Sequence, residues 1–415
     1  MKRKIVVTGI GAVTPVGLTI DDFWKSITNG ISGVDNITYF DTTHFATKFA
    51  AELKGFDALN FMDRKLAQRT DPFTHFAIAA TEMAIKDSGL NLDSIDKEKA
   101  GVIYGSGIGG MHTYNIQHNN LNNRDGNPDR ISPFFIPMLI SDIAAGRISM
   151  TYGFKGPNYA TVSACSTSAH SIIDSAMLIQ RGDADIMITG GSEAVINPMG
   201  VGGFNAMKAL STRNDEPKKA SRPFDKTRDG FVMGEGGATL ILEEMNHAIS
   251  RGAKIYAELT GFGMTGDAHH ITEPAPNGEG VARAMKIAIN DSGLTTDDID
   301  VINAHGTSTP PNDKNETAAI KTVFGERAYK LHIHSIKSMI GHLLGAAGAI
   351  EAIASILTIK NGIIPPTINY QTPDEECDLD YVPNIAVKKD VNAVLTDNSG
   401  FGGHNTAIIF KKFEQ

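Results

Sequence analysis

Three kinds of reactive side chain stand in tight, small-residue settings along this chain. Cys165 lies in Ser163-Ala164-Cys165-Ser166-Thr167-Ser168-Ala169, with a strand-like segment before it and a helix pattern beginning at or just after it. Small neighbours permit a sharp strand-to-helix turn that puts the sulfur at a helix N-terminus. Unpaired N–H groups there favour the thiolate and can receive a developing oxyanion. A buried, inert cysteine is the alternative, and the elbow context argues for a nucleophile. His305 stands in Asn303-Ala304-His305-Gly306-Thr307-Ser308-Thr309-Pro310, at the C-terminal end of a strand, where open α/β sheets place their sites. His342 closes Lys337-Ser338-Met339-Ile340-Gly341-His342 at the head of a helix. A neutral imidazole donates one N–H, so two of them can hold an enolate-like oxygen that forms and vanishes during reaction; two core histidines are the alternative. Glu351, nine residues after His342 on an apolar helix face with Ile350, Ile353 and Ile356, needs a cation, and Lys337 is the nearest candidate. Phe401 sits in Ser399-Gly400-Phe401-Gly402-Gly403, a glycine-rich turn that suits a movable cover or a plain hairpin.

What brings these groups together is an internal repeat. Thr8-Gly9-Ile10-Gly11 recurs as Thr260-Gly261-Phe262-Gly263, and Asp87-Ser88-Gly89-Leu90 as Asp291-Ser292-Gly293-Leu294, each closing a helix pattern. Val102-Ile103-Tyr104-Gly105 is echoed by Val301-Ile302-Asn303-Ala304, and the helix entry at Cys165 by Gly341 to Gly348. Asp229-Gly230-Phe231 leading to Thr239-Leu240-Ile241-Leu242 pairs with Ser399-Gly400-Phe401 leading to Thr406-Ala407-Ile408-Ile409. The order is kept throughout, so the chain reads as two related halves, 1–252 and 253–415. Each alternates helices with apolar strands such as Ile5 to Val7, Ile186 to Thr189 and Ala407 to Phe410, suited to sheets covered on both faces. Two α/β layers packed face to face are expected, and the repeat brings Cys165, Lys337, His342 and His305 into one neighbourhood. An insertion in the first half, about 111–135, is rich in Asn, Gly and Pro and poor in periodicity; it reads as an irregular cap or a subunit contact.

The 415 residues carry 38 basic against 47 acidic side chains, 41% hydrophobic residues and 2 Cys, which excludes disorder and a disulfide framework. The apolar stretch from Met1 to Gly17 is broken by Thr8, Gly9, Gly11 and Pro15 and reads as a buried strand; Ile340 to Ile359 carries His342 and Glu351 and makes a poor membrane span. A cytoplasmic protein is expected. A net charge of −9 without a long Lys/Arg run argues against nucleic acid. Local basic groups at Lys65 and Arg69, Arg124 and Arg130, and Lys208 suit solvated surface or an acidic partner.

Two patterns are set aside. Gly105-Ser106-Gly107-Ile108-Gly109-Gly110 satisfies GxGxxG after a strand, but 122–130 reads as loop where the next strand and its ribose-binding acid belong. His332-Ile333-His334 puts two imidazoles on one strand face without a third ligand and reads as an exposed strand rather than a metal site.

The motifs around Cys165, His305, Lys337 to His342 and Gly400 to Gly403, together with Arg222-Pro223-Phe224-Asp225, Arg228-Asp229-Gly230-Phe231 and Pro365-Pro366-Thr367-Ile368-Asn369, resemble the β-ketoacyl-[acyl-carrier-protein] synthases nearly end to end, and type II elongating enzymes most. The resemblance implies a thiolase-like α/β fold of two duplicated βαβαβαββ-type halves in a five-layered αβαβα arrangement. It implies Cys165 as acyl carrier, the N–H groups of Cys165 and Phe401 as oxyanion hole, His305 and His342 as supports of malonyl decarboxylation, and Lys337 with Glu351, Thr307 and Thr309 as supporting residues. Ile108 and Phe204 match acyl-pocket positions, and Phe135 does so across a homodimer interface. Lys65, Arg69, Arg124, Arg130 and Lys208 become docking points for an acyl carrier protein; no cofactor or metal is implied. Relatives carry a bulky residue before the glycine at 400, so this turn is one residue short or Ser399 fills the bulky site. A polyketide ketosynthase, a silent partner subunit (disfavoured by Cys165) and a Cys-His hydrolase (which leaves the second histidine and Lys337 unexplained) are the rival readings.

Overall fold

The computed structural model describes residues 2–414. Ten strands form one sheet: β1 (Ile5–Val13), β2 (Ala100–Gly105), β3 (Asn158–Tyr159), β4 (Ile186–Glu193), β5 (Gly236–Glu244), β6 (Ala257–Gly266), β7 (Val301–Asn303), β8 (His332–His334), β9 (Ala393–Gly400) and β10 (His404–Lys411). The helices that matter are α1 (Pro72–Ser88), α2 (Met111–Asn122), α3 (Phe135–Leu139), α4 (Ile143–Tyr152), α5 (Thr167–Arg181), α6 (Glu279–Ser292), α7 (Pro310–Phe324) and α8 (Ala347–Asn361). Strand order is β8-β7-β9-β10-β6-β1-β5-β4-β2-β3. Cut between β6 and β1, it gives two five-stranded halves with the same order and the same mix of parallel and antiparallel neighbours, joined where Ile5 to Val7 pair antiparallel with Ala257 to Leu259.

Helices α5 and α8 fill the space between the two halves. Ile172, Ile173 and Ile179 of the first and Ile350, Ile353 and Ile356 of the second share one core with Leu240, Leu242, Val394 and Ile408 of the sheet. Outside, α1 and α4 cover one half, and α6 and α7 the other. The result is the αβαβα layering of the thiolase-like fold.

The sequence echoes are packing devices. A Cβ at Gly9 would lie 2.4 Å from the Ala84 carbonyl and one at Gly11 2.1 Å from that of Ala80; at Gly261 and Gly263 the same 2.4 and 2.1 Å separate it from Ala288 and Ala284. These glycines let α1 and α6 press onto β1 and β6. Gly89 and Gly293, at φ 62° and 72°, stop the same two helices in left-handed caps. Just inside those caps the hydroxyls of Ser88 and Ser292 donate to Ile85 and Ile289 carbonyls and accept from the Leu90 and Leu294 N–H groups.

Three expectations are corrected. The strand echoes are out of register by one: Gly11 pairs with Thr239 and Gly263 with Ala407, so Thr239 corresponds to Ala407, not Thr406. By the same ladders Val102 corresponds to Ile302 rather than Val301. Strands apolar on both faces carry no alternation from which register can be read. The 111–135 segment is irregular only in its second half; it opens with α2, whose only buried residue is Thr113, so that helix shows no apolar period. And β8 is not an exposed strand: Ile333 donates to the Asp380 carbonyl, 370–382 covers this edge, and His334 is fully buried, while His332 pairs with Asp380 at 2.8 Å.

Candidate active site

Cys165 occupies a single 3-10 turn, Ala164–Ser166, that runs straight into α5. Ala164 takes φ 51°, a left-handed conformation that costs energy for a residue with a Cβ and produces the sharp elbow. The end of β9 closes against this turn: a Cβ on Gly400 would lie 2.6 Å from the Ser163 carbonyl and 3.2 Å from the Cys165 nitrogen. That approach brings the Phe401 backbone N–H toward the sulfur, where it favours the thiolate.

His342 reaches the same sulfur from the other half, its Nε2 3.0 Å from Cys165 Sγ. Leu344 N–H donates to Nδ1 at 3.3 Å, which makes Nδ1 the acceptor and leaves the ring proton on Nε2. His305 lies beside it, ring centroids 5.3 Å apart and edge to face. Its Nδ1 faces two donors, Lys337 Nζ at 3.4 Å and Asn398 Nδ2 at 3.3 Å, so its proton too sits on Nε2. Burial and then the Lys337 ammonium hold both imidazoles well below their ordinary pKa, with His342 adding to the effect on His305. Both rings are therefore neutral donors at neutral pH.

Lys337 is buried and donates to the His305 carbonyl at 2.5 Å and to the Glu351 carboxylate. Glu351 also accepts from Asn398 Nδ2 at 2.6 Å. Behind His305, Glu316 accepts from the His305 and Gly306 N–H groups at 2.6 and 2.8 Å, which fixes the strand-end loop.

Against the expected thiolate, burial pushes the Cys165 thiol up to about 12, opposed by the Lys337 ammonium and the Phe401 N–H. Desolvation of a charge outweighs the partial positive charge at a helix end.

These groups open onto a cavity of about 450 Å³. Thr307 and Thr309, hydroxyls 2.8 Å apart, stand on its wall, as do Ile108 and Phe204; exposed Lys208 stands at its rim. Phe135 is half-buried in α3 and is not part of this wall. Lys65, Arg124 and Arg130 are exposed, and the Arg69 guanidinium lies 4.4 Å from the centre of the Phe134 ring. Ser399 also lines the cavity. The β9–β10 ladder is regular from Ala393↔Lys411 to Gly400↔His404, and the Ser399 hydroxyl donates to Asn405 at 2.9 Å, so Ser399 fills a strand position.

Sequence reading missed three residues of this site. Asn398 bridges His305 and Glu351, Phe231 packs edge-on to His342 at 5.4 Å, and Glu193 ends β4 fully buried on the cavity wall. The last had a readable signal, a carboxylate closing a strand that opens with the apolar run Ile186 to Ile188. Among the described residues, Cys165, His305 and His342 form the one group of three ligating side chains, their atoms within 4.8 Å of one another. The Lys337 ammonium behind His305 opposes a cation there.

A cavity thiol, two neutral N–H donors and an apolar cavity suit carbon–carbon bond formation on a thioester. Comparison with known proteins points the same way. Residues 2–248 match the family described as beta-ketoacyl synthase, N-terminal domain, and 256–371 its C-terminal domain. The chain is 51% identical over 412 residues to a 3-oxoacyl-[acyl-carrier-protein] synthase 2 of Staphylococcus aureus, covering 99% of each. It is 49% identical to the protein of that name from Synechocystis, covering 100% of this chain and 99% of the other. Among solved structures it resembles a beta-ketoacyl synthase from Burkholderia phymatum (36% identity, TM-score 0.92) and a type II polyketide ketosynthase in complex with its acyl-carrier protein (35%, 0.91), each covered in full.

Proposed function

The chain belongs to the β-ketoacyl synthase family, and on that footing we propose that it is a 3-oxoacyl-[acyl-carrier-protein] synthase of fatty-acid elongation, with Cys165, His305 and His342 as its reacting groups. The observation that carries the assignment of roles is the placing of two Nε2–H donors beside one sulfur.

In the first half-reaction the Cys165 sulfur attacks the acyl thioester carbonyl. The Cys165 and Phe401 N–H groups hold the oxyanion, the carrier thiol leaves with the proton, and the acyl group stays on Cys165. Malonyl-carrier protein then enters. As CO2 departs, its electron pair makes an enolate whose oxygen receives the Nε2–H groups of His305 and His342. The carbanion attacks the acyl-Cys165 carbonyl, the new C–C bond forms, and Cys165 leaves as thiolate and takes a proton from solvent. Lys337 and Glu351 act through His305, keeping its Nδ1 an acceptor; Thr307 and Thr309 border the malonyl end of the cavity, and Ile108 and Phe204 the acyl end.

The partner is an acyl carrier protein, docked on Lys65, Arg69, Arg124, Arg130 and Lys208, whose positive charge suits an acidic surface. A homodimer is supported by the free edge of β3 and by Ile136, Ile140, Met150, Tyr159 and Val162, apolar and exposed on neighbouring elements; a second copy would bring its own α3, with Phe135, to this site. We treat 1–252 and 253–415 as the two copies of the duplication. No helix of the described residues is long and apolar enough to cross a membrane, and a cytoplasmic location fits this reading.

The test is incubation with acyl-carrier proteins of several chain lengths plus malonyl-carrier protein, with products identified by mass. A 3-oxoacyl product two carbons longer is expected; acyl transfer or hydrolysis without C–C bond formation would overturn the reading.

A further inference from the structure

Glu193 lies at the point where the two halves cross, and nothing in the mechanism above uses it. It is fully buried and lines the cavity beside Cys165. Its two oxygens meet four donors: Oε1 the Ser106 hydroxyl at 2.8 Å and the Ile108 N–H at 3.2 Å, Oε2 the N–H groups of Gly107 at 2.9 Å and Gly345 at 3.0 Å. The glycine-rich loop after β2, which could have been mistaken for a nucleotide motif, thus wraps a carboxylate. The contact has no slack. A Cβ on Gly107 would lie 2.8 Å from Oε2, and one on Gly345 2.6 Å from Oε2 and 2.3 Å from the Gly107 nitrogen.

Gly345 is three residues after His342, and the turn between them is strained. Leu344 holds φ 48°, unfavourable for a side chain of its size, and it is the Leu344 N–H that donates to His342 Nδ1. The Gly345 N–H on Glu193 ties this turn down from its far side. We propose that Glu193 is a positioning residue that fixes the tautomer and aim of His342: its carboxylate holds Gly345, the held turn presents Leu344 N–H to Nδ1, and the imidazole proton is thereby kept on Nε2, facing Cys165. The same carboxylate ties the Ile108 lip of the acyl cavity to that turn, so the acyl wall and the imidazole share one anchor. The inference rests on the proposed role of His342.

All four partners are donors, so Glu193 is matched as an acceptor and glutamine is not a neutral replacement. In Glu193→Gln the amide NH2 must face either the Gly107 and Gly345 N–H groups or the Ser106–Ile108 pair. The experiment compares wild type, Glu193→Gln and Gly345→Ala. The latter leaves the carboxylate in place and breaks the contact from the other side, so it serves also if the glutamine variant does not fold. Two quantities are read: the rate of malonyl-carrier protein decarboxylation against the rate of acyl transfer to Cys165, and the ¹⁵N NMR signature of the His342 ring in histidine-labelled protein, assigned with His342→Ala. Expected are a loss of tenfold or more in decarboxylation kcat, a smaller loss in acyl transfer, and a His342 spectrum that moves from the Nε2–H form to a mixture of tautomers. Folded variants that keep the wild-type His342 signature and decarboxylation rate would overturn the proposal, as would equal losses in both half-reactions with an unchanged signature, which a purely structural role predicts. Failure of the function itself shows separately, as a wild-type protein that makes no 3-oxoacyl product whatever the imidazole spectrum does.

Discussion

His342 Nε2 lies 3.0 Å from Cys165 Sγ, and the two residues come from different copies of an internal repeat. Cys165 lies in the turn that leads into α5 in the first half, and His342 precedes α8 in the second; the two helices pack side by side as the middle layer. The pseudo-symmetry makes their heads meet: the turn Ala164–Ser166 before α5 corresponds to Leu344–Ala346 before α8, and His342 stands three residues ahead of the position equivalent to Cys165. The consequences can be measured one by one.

Cys165→Ala removes the acyl acceptor of the proposed mechanism. Condensation should fall by about 10⁴-fold or more, as for loss of other covalent nucleophiles, while malonyl decarboxylation, which needs only the imidazoles, persists. Release of labelled CO2 from malonyl-carrier protein checks this, and condensation at near wild-type rate would remove Cys165 from its role.

If each imidazole supplies one donor to the enolate oxygen, as proposed, His305→Ala and His342→Ala should each slow decarboxylation by about 10²- to 10³-fold, the usual cost of one such donor. Acyl transfer to Cys165 is expected to suffer less. Mass analysis of the acylated protein separates the two half-reactions.

The buried Lys337–Glu351 pair gives an asymmetric prediction. Lys337→Met leaves Glu351 uncompensated and should destabilise the protein by about 3–5 kcal/mol, whereas Lys337→Met with Glu351→Leu should recover much of that loss. Urea unfolding of wild type, single and double variants measures it, and equal destabilisation of the last two would count against an ion pair.

With its thiol pushed up to about 12, Cys165 should react slowly with iodoacetamide at pH 7. Its rate should climb roughly tenfold per pH unit between pH 8 and 10 without a plateau. A plateau near pH 7 would show a resting thiolate.

His334 is buried with neither ring nitrogen partnered, and burial lowers its pKa from 6.5 to about 3. Below pH 6.5 the unfolded chain takes up a proton that the folded one refuses, so this residue's contribution to stability is lost as pH falls. His334→Leu should therefore gain, relative to wild type, about 1.4 kcal/mol more at pH 5.5 than at pH 7.5. Denaturant unfolding at the two pH values tests the difference, and the sign alone is decisive.

The chain's own text was enough to show the duplication, because packing writes it in residue types: Gly9 and Gly261 where a helix must touch a strand, Gly89 and Gly293 where a helix must stop. The small residues round Cys165 and the motifs at His305 and His342 were legible for the same reason, since a sharp turn tolerates few side chains. Strand register was not legible, since β4, β5 and β10 are buried on both faces and have no alternation to read. Nor was the helical character of 111–122, which has polar residues on nearly every side. Tertiary structure alone decided the state of the sulfur, because a pKa depends on how completely the fold removes water and on which distant charges it brings near. It alone placed Glu193 and Asn398, whose partners lie far away in sequence, and only the folded chain shows that a carboxylate ending a strand of the first half anchors the turn after the second half's histidine.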